Sequence, residues 1–65
     1  MSQGFQKKYL LVDEVGDILR ISRRQVYYLI ASAEIQIFKI GSSTRILHDS
    51  LEDYVNRQIE KFENS

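Results

Sequence analysis

The sequence predicts a mainly α-helical domain carrying one small β-hairpin, and three observations predict it. Apolar residues recur at three- and four-residue spacings in three separate segments. Between Ile35 and Leu47 that periodicity gives way to alternation rich in β-branched residues, interrupted by Gly41-Ser42-Ser43. Ser22 and Gln25 form a capping-box signal just past the first apolar stripe. The resulting order of helix, turn, helix, hairpin and helix is a helix-turn-helix with a wing. It places one domain over residues 9–62, with residues 1–8 and 63–65 as flexible ends.

In the first helix Leu11, Val12, Val15, Ile18 and Leu19 share one face, and Asp13, Glu14 and Asp17 suit the positive end of its dipole. Glycine inside a helix costs about 1 kcal/mol relative to alanine, so Gly16 is read as a point of close approach by the next helix. The second helix opens at Ser22, whose hydroxyl accepts from the Gln25 amide while the Gln25 side chain returns to Ser22. Val26, Leu29, Ile30 and Ala33 then face inward, Arg24, Tyr28 and Ala31 face outward, and Gln25 and Tyr27 lie on the flanks. Two strands follow, at about residues 37–40 and 44–47. With Phe38, Ile40 and Ile46 toward the core, Lys39 and Arg45 face outward. Asp49, with Glu52 three residues on, is expected to cap the last helix. Its apolar stripe comprises Leu51, Tyr54, Val55, Ile59 and Phe62. Either the whole stripe packs across the helical pair, or its far end at Ile59 and Phe62 is a partner surface.

A chain of 65 residues has room for one domain, which buries only roughly 60% of its unfolded surface and cannot easily hold a deep cleft. Cysteine is absent and His48 is the single histidine, so disulfides are excluded, zinc sites lack ligands, and no metal or cofactor is expected. No apolar run approaches the ~20 residues needed to span a bilayer, and the first residues lack the apolar core of a secretion signal. A cytoplasmic protein without membrane contact is expected. His48 beside Asp49 is the nearest approach to a general-base pair, but no nucleophile or metal site completes it. The expectation is therefore a protein that is not an enzyme.

Net charge is zero, yet its distribution is uneven. Residues 20–45 carry Arg20, Arg23, Arg24, Lys39 and Arg45 against Glu34, a balance of +4. Residues 46–65 carry −3 and residues 1–19 carry −1. Scattered surface charge is the plain alternative, but the basic block coincides with the second helix and the hairpin, which points to nucleic acid. Arg23 and Arg24 fall in the first turn of the second helix, where a recognition helix meets the major groove. By helical phase Arg24 suits bidentate contact with guanine, and Arg23 suits phosphate. Gln25 suits adenine, in competition with its capping duty. Tyr27 and Tyr28 are expected to donate to phosphate or to pack on thymine methyl groups. Lys39 and Arg45 either reach the adjacent minor groove or form a solvated cross-strand pair.

The string Tyr9-Leu10, Val12-Asp13-Glu14-Val15, Ile18-Leu19, Ile21-Ser22-Arg23-Arg24, Val26-Tyr27, Leu29-Ile30, Phe38-Lys39-Ile40-Gly41, Arg45-Ile46 and Leu51-Glu52-Asp53-Tyr54 closely resembles the excisionase family of small winged-helix proteins related to the MerR-type DNA-binding domain. The resemblance covers about residues 9–55. It implies a recombination directionality factor that binds double-stranded DNA near attachment sites and directs a tyrosine integrase toward excision of a phage or mobile element. Cooperative self-association on DNA and a bacterial or phage-infected host cell go with that role. The DNA-contacting set it implies is Ser22, Arg23, Arg24, Gln25, Tyr27 and Tyr28 on the recognition helix, with Lys39, Ser42, Ser43 and Arg45 on the wing. Ile59 and Phe62 are then the partner-binding candidates. Members of the same family also serve as transcriptional regulators, and a protein-interaction module docking through the last helix is the rival from another class.

The sequence departs from the family pattern at several positions. Leu11 replaces the usual Ser or Thr cap, Arg20 and Ala33 replace glycines, and Gln36 replaces proline. A non-glycine residue at positive φ costs on the order of 1 kcal/mol, so the two glycine-less turns are expected to be reshaped. The wing tip reads Ser42-Ser43-Thr44 where basic and aromatic residues are usual, which shifts the expectation from minor-groove insertion to hydroxyl contacts with phosphate.

Overall fold

The structure, a computed structural model, describes residues 8–64. Its elements are β1 (Tyr9–Leu10), α1 (Val12–Leu19), α2 (Arg23–Ala31), β2 (Ile37–Ile40), β3 (Ser43–Leu47) and α3 (His48–Glu63). The three strands form one antiparallel sheet in the order β1-β3-β2. This is a helix-turn-helix with a β wing, the predicted class. Of the flexible ends expected at residues 1–8 and 63–65, residues 1–7 and 65 lie outside the described residues, while Lys8 O accepts from the His48 N–H, Glu63 belongs to α3 and Asn64 is its C-cap.

The core is a single cluster of Leu10, Val12, Val15, Val26, Ile35, Ile46 and Leu51, with one or two residues from nearly every element. Gly16 stands where α2 crosses α1. A Cβ added there would lie 3.1 Å from the Ile21 carbonyl oxygen and 3.8 Å from Val26 Cγ2. The glycine thus permits close packing, as its position in the sequence suggested. Leu11 and Ile18, assigned to the inward stripe of α1, are exposed. Leu11 is the N-cap and has no side-chain acceptor, so only its backbone N–H takes part, donating to Glu14 Oε1 at 2.8 Å. Ala33 is likewise exposed, because α2 ends before it.

Neither glycine-less turn is reshaped. Arg20 holds φ 60° and Ala33 holds φ 61°. The Ile21 N–H donates to Gly16 O at 3.0 Å, and the Ala33 and Glu34 N–H groups donate to Ile30 O at 3.1 Å and Leu29 O at 2.9 Å. These left-handed closures satisfy the last carbonyls of each helix, so backbone hydrogen bonding offsets the strain. At Gln36 the departure from proline is used: its N–H donates to Ser50 Oγ at 2.8 Å, a bond proline cannot make.

The hairpin corrects the expected facing of its residues. The two-residue turn Gly41-Ser42, with Gly41 at φ 62°, pairs Ile40 with Ser43, Lys39 with Thr44, Phe38 with Arg45 and Ile37 with Ile46. Directly opposed residues share a face. Ile37, and not Phe38 or Ile40, therefore joins Ile46 and Leu10 toward the core. Phe38 lies on the opposite face, where its ring meets Tyr9 edge-on with centroids 5.6 Å apart, and Ile40 is 52% exposed. Strand β1 was not foreseen, since two residues cannot display alternation; it pairs Tyr9 with Leu47 and Leu10 with Ile46. Asp49 is not the cap of α3. The N-cap is Leu47, the His48 N–H donates to Lys8 O at 2.9 Å, and Asp49 lies in the first helical turn.

Candidate nucleic-acid interface

The start of α2 is held by the predicted reciprocal cap. Ser22 Oγ accepts from the Gln25 N–H at 3.2 Å, and Gln25 Oε1 accepts from the Ser22 N–H at 3.1 Å. The Gln25 side chain is therefore occupied at the helix end. Beyond the cap, Arg23, Arg24, Tyr27 and Tyr28 are all exposed, Tyr28 at 72%, while Val26 between them is fully buried and fixes the rotation of the helix.

Arg23 is the most constrained of these side chains. Its Nη1 donates to Asp13 Oδ1 on α1, and its guanidinium lies 5.7 Å from the centre of the Tyr27 ring. The hydrogen bond that Arg23 donates to Asp13, then that carboxylate's charge, raise the Arg23 pKa further above an already high ordinary value. The shift records attraction and leaves the protonation state unchanged. Arg24 has no ion pair among the described residues.

The wing approaches the same region. A cleft of about 280 Å³ is lined by Asp13, Arg23 and Tyr27 from the helical pair and by Ser42, Ser43, Thr44 and Arg45 from the hairpin. Arg45 is half-buried, with Nη1 donating to Thr44 O at 3.2 Å. The structure thus brings together Arg23, Tyr27, Ser42, Ser43 and Arg45 of the sequence-derived set. Arg24, Tyr28 and Lys39 lie outside the cleft. Lys39 pairs with Thr44, and Arg45 with Phe38, so these two cations stand on opposite faces of the hairpin and do not form a cross-strand pair. Asp13, with Leu11 and Val12 beside it, lines the cleft without having been flagged as a site residue by the sequence.

Other concavities are poorer candidates. A cleft of about 430 Å³ beside α3 carries Glu34, Asp49 and Asp53 against Lys8 and Arg57, an acidic balance unsuited to phosphate. His48, Asp49 and Glu52 bring three ligand-type atoms within 4.8 Å of one another. His48 and Asp49 stand in the first turn of α3, where the helix dipole opposes a cation, and Glu52 follows in the next turn. On α3, Leu51 is buried and Tyr54 and Val55 pack partly on the core, whereas Ile59 is 49% and Phe62 84% exposed. The far end of the stripe is not core. No helix among the described residues is long and apolar enough to cross a membrane.

Comparison with curated proteins and with solved structures returns no match. A family model described as a helix-turn-helix domain matches residues 9–59, from β1 through most of α3. That family includes excisionase-like DNA-binding proteins, and its span takes in both the capped helix α2 and the wing. The chain belongs to the helix-turn-helix domain family.

Proposed function

We propose that this protein binds duplex DNA without catalysis, with the first turn of α2 in the major groove and the wing on the adjacent backbone. We propose further that it acts as an excisionase, a recombination directionality factor assisting a tyrosine integrase in excising a phage or mobile element. The observation that carries DNA binding is the shared cleft, in which Arg23 and Tyr27 of α2 face Ser42, Ser43 and Arg45 of the wing. Donors on both walls suit a DNA edge passing between helix and hairpin. The excision role is supported by the motif resemblance over residues 9–55, by membership in a family that includes excisionase-like proteins, and by the exposed end of α3. Ile59 and Phe62 give that end an apolar surface for integrase or for a neighbouring protomer on DNA.

Footprinting on DNA flanking the gene tests the reading. Several adjacent protected sites beside a recombination core, with stimulation of integrase-dependent excision, are expected. A single site over a promoter would instead assign a transcriptional regulator with the same DNA-binding chemistry. No binding at low salt would assign a protein-interaction module working through α3.

A further inference from the structure

We infer that Asp13 is a positioning residue that commits Arg23 to reading a base edge rather than clamping a phosphate. The inference rests on the DNA-binding reading above. It begins from a contact between two helices. Asp13 and Arg23 are separated by ten residues in sequence and lie in the first turns of α1 and α2. The Asp13 carboxylate takes one guanidinium N–H, and the guanidinium carbon lies over the Tyr27 ring, 5.7 Å from its centre. Arginine has five N–H donors in a planar fork, so an edge remains free to donate. The Asp13 contact and the nearby Tyr27 ring restrict the guanidinium, which lines the cleft between α2 and the wing.

Charge decides what such a fork can recognise. The carboxylate cancels much of the guanidinium field and repels an approaching phosphate, which weakens Arg23 as an electrostatic clamp. Guanine O6 and N7 are neutral acceptors matched to a bidentate fork, and they suffer far less from the nearby carboxylate. Arg24, exposed and without an ion pair among the described residues, is the better phosphate contact. This inverts the division of labour that helical phase alone suggested for the two arginines. The pair is also poorly placed to be a stability device, because its side chains are 59% and 72% exposed and surface ion pairs contribute little to folding.

The test uses duplexes selected from a random pool by the wild-type chain, together with scrambled duplexes of equal length. Asp13→Asn, Arg23→Ala, Arg24→Ala and the double variant Asp13→Asn/Arg23→Ala are compared by affinity, base preference and salt slope, with thermal melts as a folding control. Asp13→Asn should melt near the wild type, bind scrambled DNA more tightly, and lose roughly five- to tenfold in its preference for the selected site. Reselection with Asp13→Asn should relax one base position, the same position relaxed by Arg23→Ala. Its salt slope should steepen by about one phosphate contact. In the Arg23→Ala background Asp13→Asn should leave base preference unchanged. A gain in affinity that is equal on selected and scrambled DNA would overturn the positioning role, as would an effect on preference that persists without Arg23. Wild-type chain that binds no duplex overturns the DNA-binding reading itself, an outcome distinct from binding with unaltered preference.

Discussion

Arg20 and Ala33 hold left-handed backbone without being glycine, at φ 60° and 61°. An L-residue there costs roughly 1–2 kcal/mol, against a smaller entropic loss that glycine brings to the unfolded chain. Ala33 is exposed and makes no core contact, so Ala33→Gly should stabilise the domain by about 1 kcal/mol. A rise in melting temperature of roughly 4–8 °C would correspond to that gain, and a fall would show that the turn is relaxed as it stands. Residues whose partners lie within a few positions were legible in the sequence. The Ser22 and Gln25 cap is the clearest case, because both halves of the motif lie within one helical turn. The contact between Asp13 and Arg23 was not legible, since nothing local to either residue shows that the two helix starts meet. Helical phase alone therefore left Arg23 looking like the lesser of the two arginines.

At the scale of elements, α3 divides into two halves with different duties. Leu51 is 5% exposed within the core cluster, whereas Phe62 is 84% exposed. Truncating a buried leucine to alanine costs about 2–5 kcal/mol, most of the stability of so small a domain. Leu51→Ala should therefore be largely unfolded, while Phe62→Ala, at an exposed position, should cost far less. Parallel melts check this, and comparable losses for the two variants would return the helix end to the core. If the excision reading holds, Phe62→Ala should also bind a single site normally yet reduce cooperative assembly or excision. The stripe itself was legible from its spacing, but where it leaves the core depends on how far the other elements reach. The hairpin was legible as an element and misread in phase. A two-residue turn pairs odd-numbered residues with even-numbered ones, so Phe38 and Ile46 cannot share a face. Choosing Ile37 instead requires knowing the turn length, and with it the register.

Across the whole molecule, charge is segregated rather than absent. Residues 20–45 hold +4 and supply both walls of the cleft with cations, while residues 46–65 hold −3. A zero net charge thus leaves room for local attraction to DNA. If about three or four cations per protomer reach phosphate, affinity should fall by roughly two orders of magnitude between ~50 and ~200 mM salt. A salt-insensitive binding constant would contradict that count. The architecture was legible because its punctuation is strong: a capping box, a periodicity switch and a glycine turn. The approach of wing to helix start was not, because it joins residues about twenty positions apart, Arg23 and Tyr27 with Ser42 to Arg45. The central claim is that α2 and the wing meet DNA together, and amide chemical-shift mapping during titration with a selected duplex tests it most directly. Perturbations should cluster on residues 22–28 and 42–45, sparing residues 59–62 and the acidic cleft of Glu34, Asp49 and Asp53. Shifts concentrated on α3, or confined to α2 with the wing silent, would contradict the account.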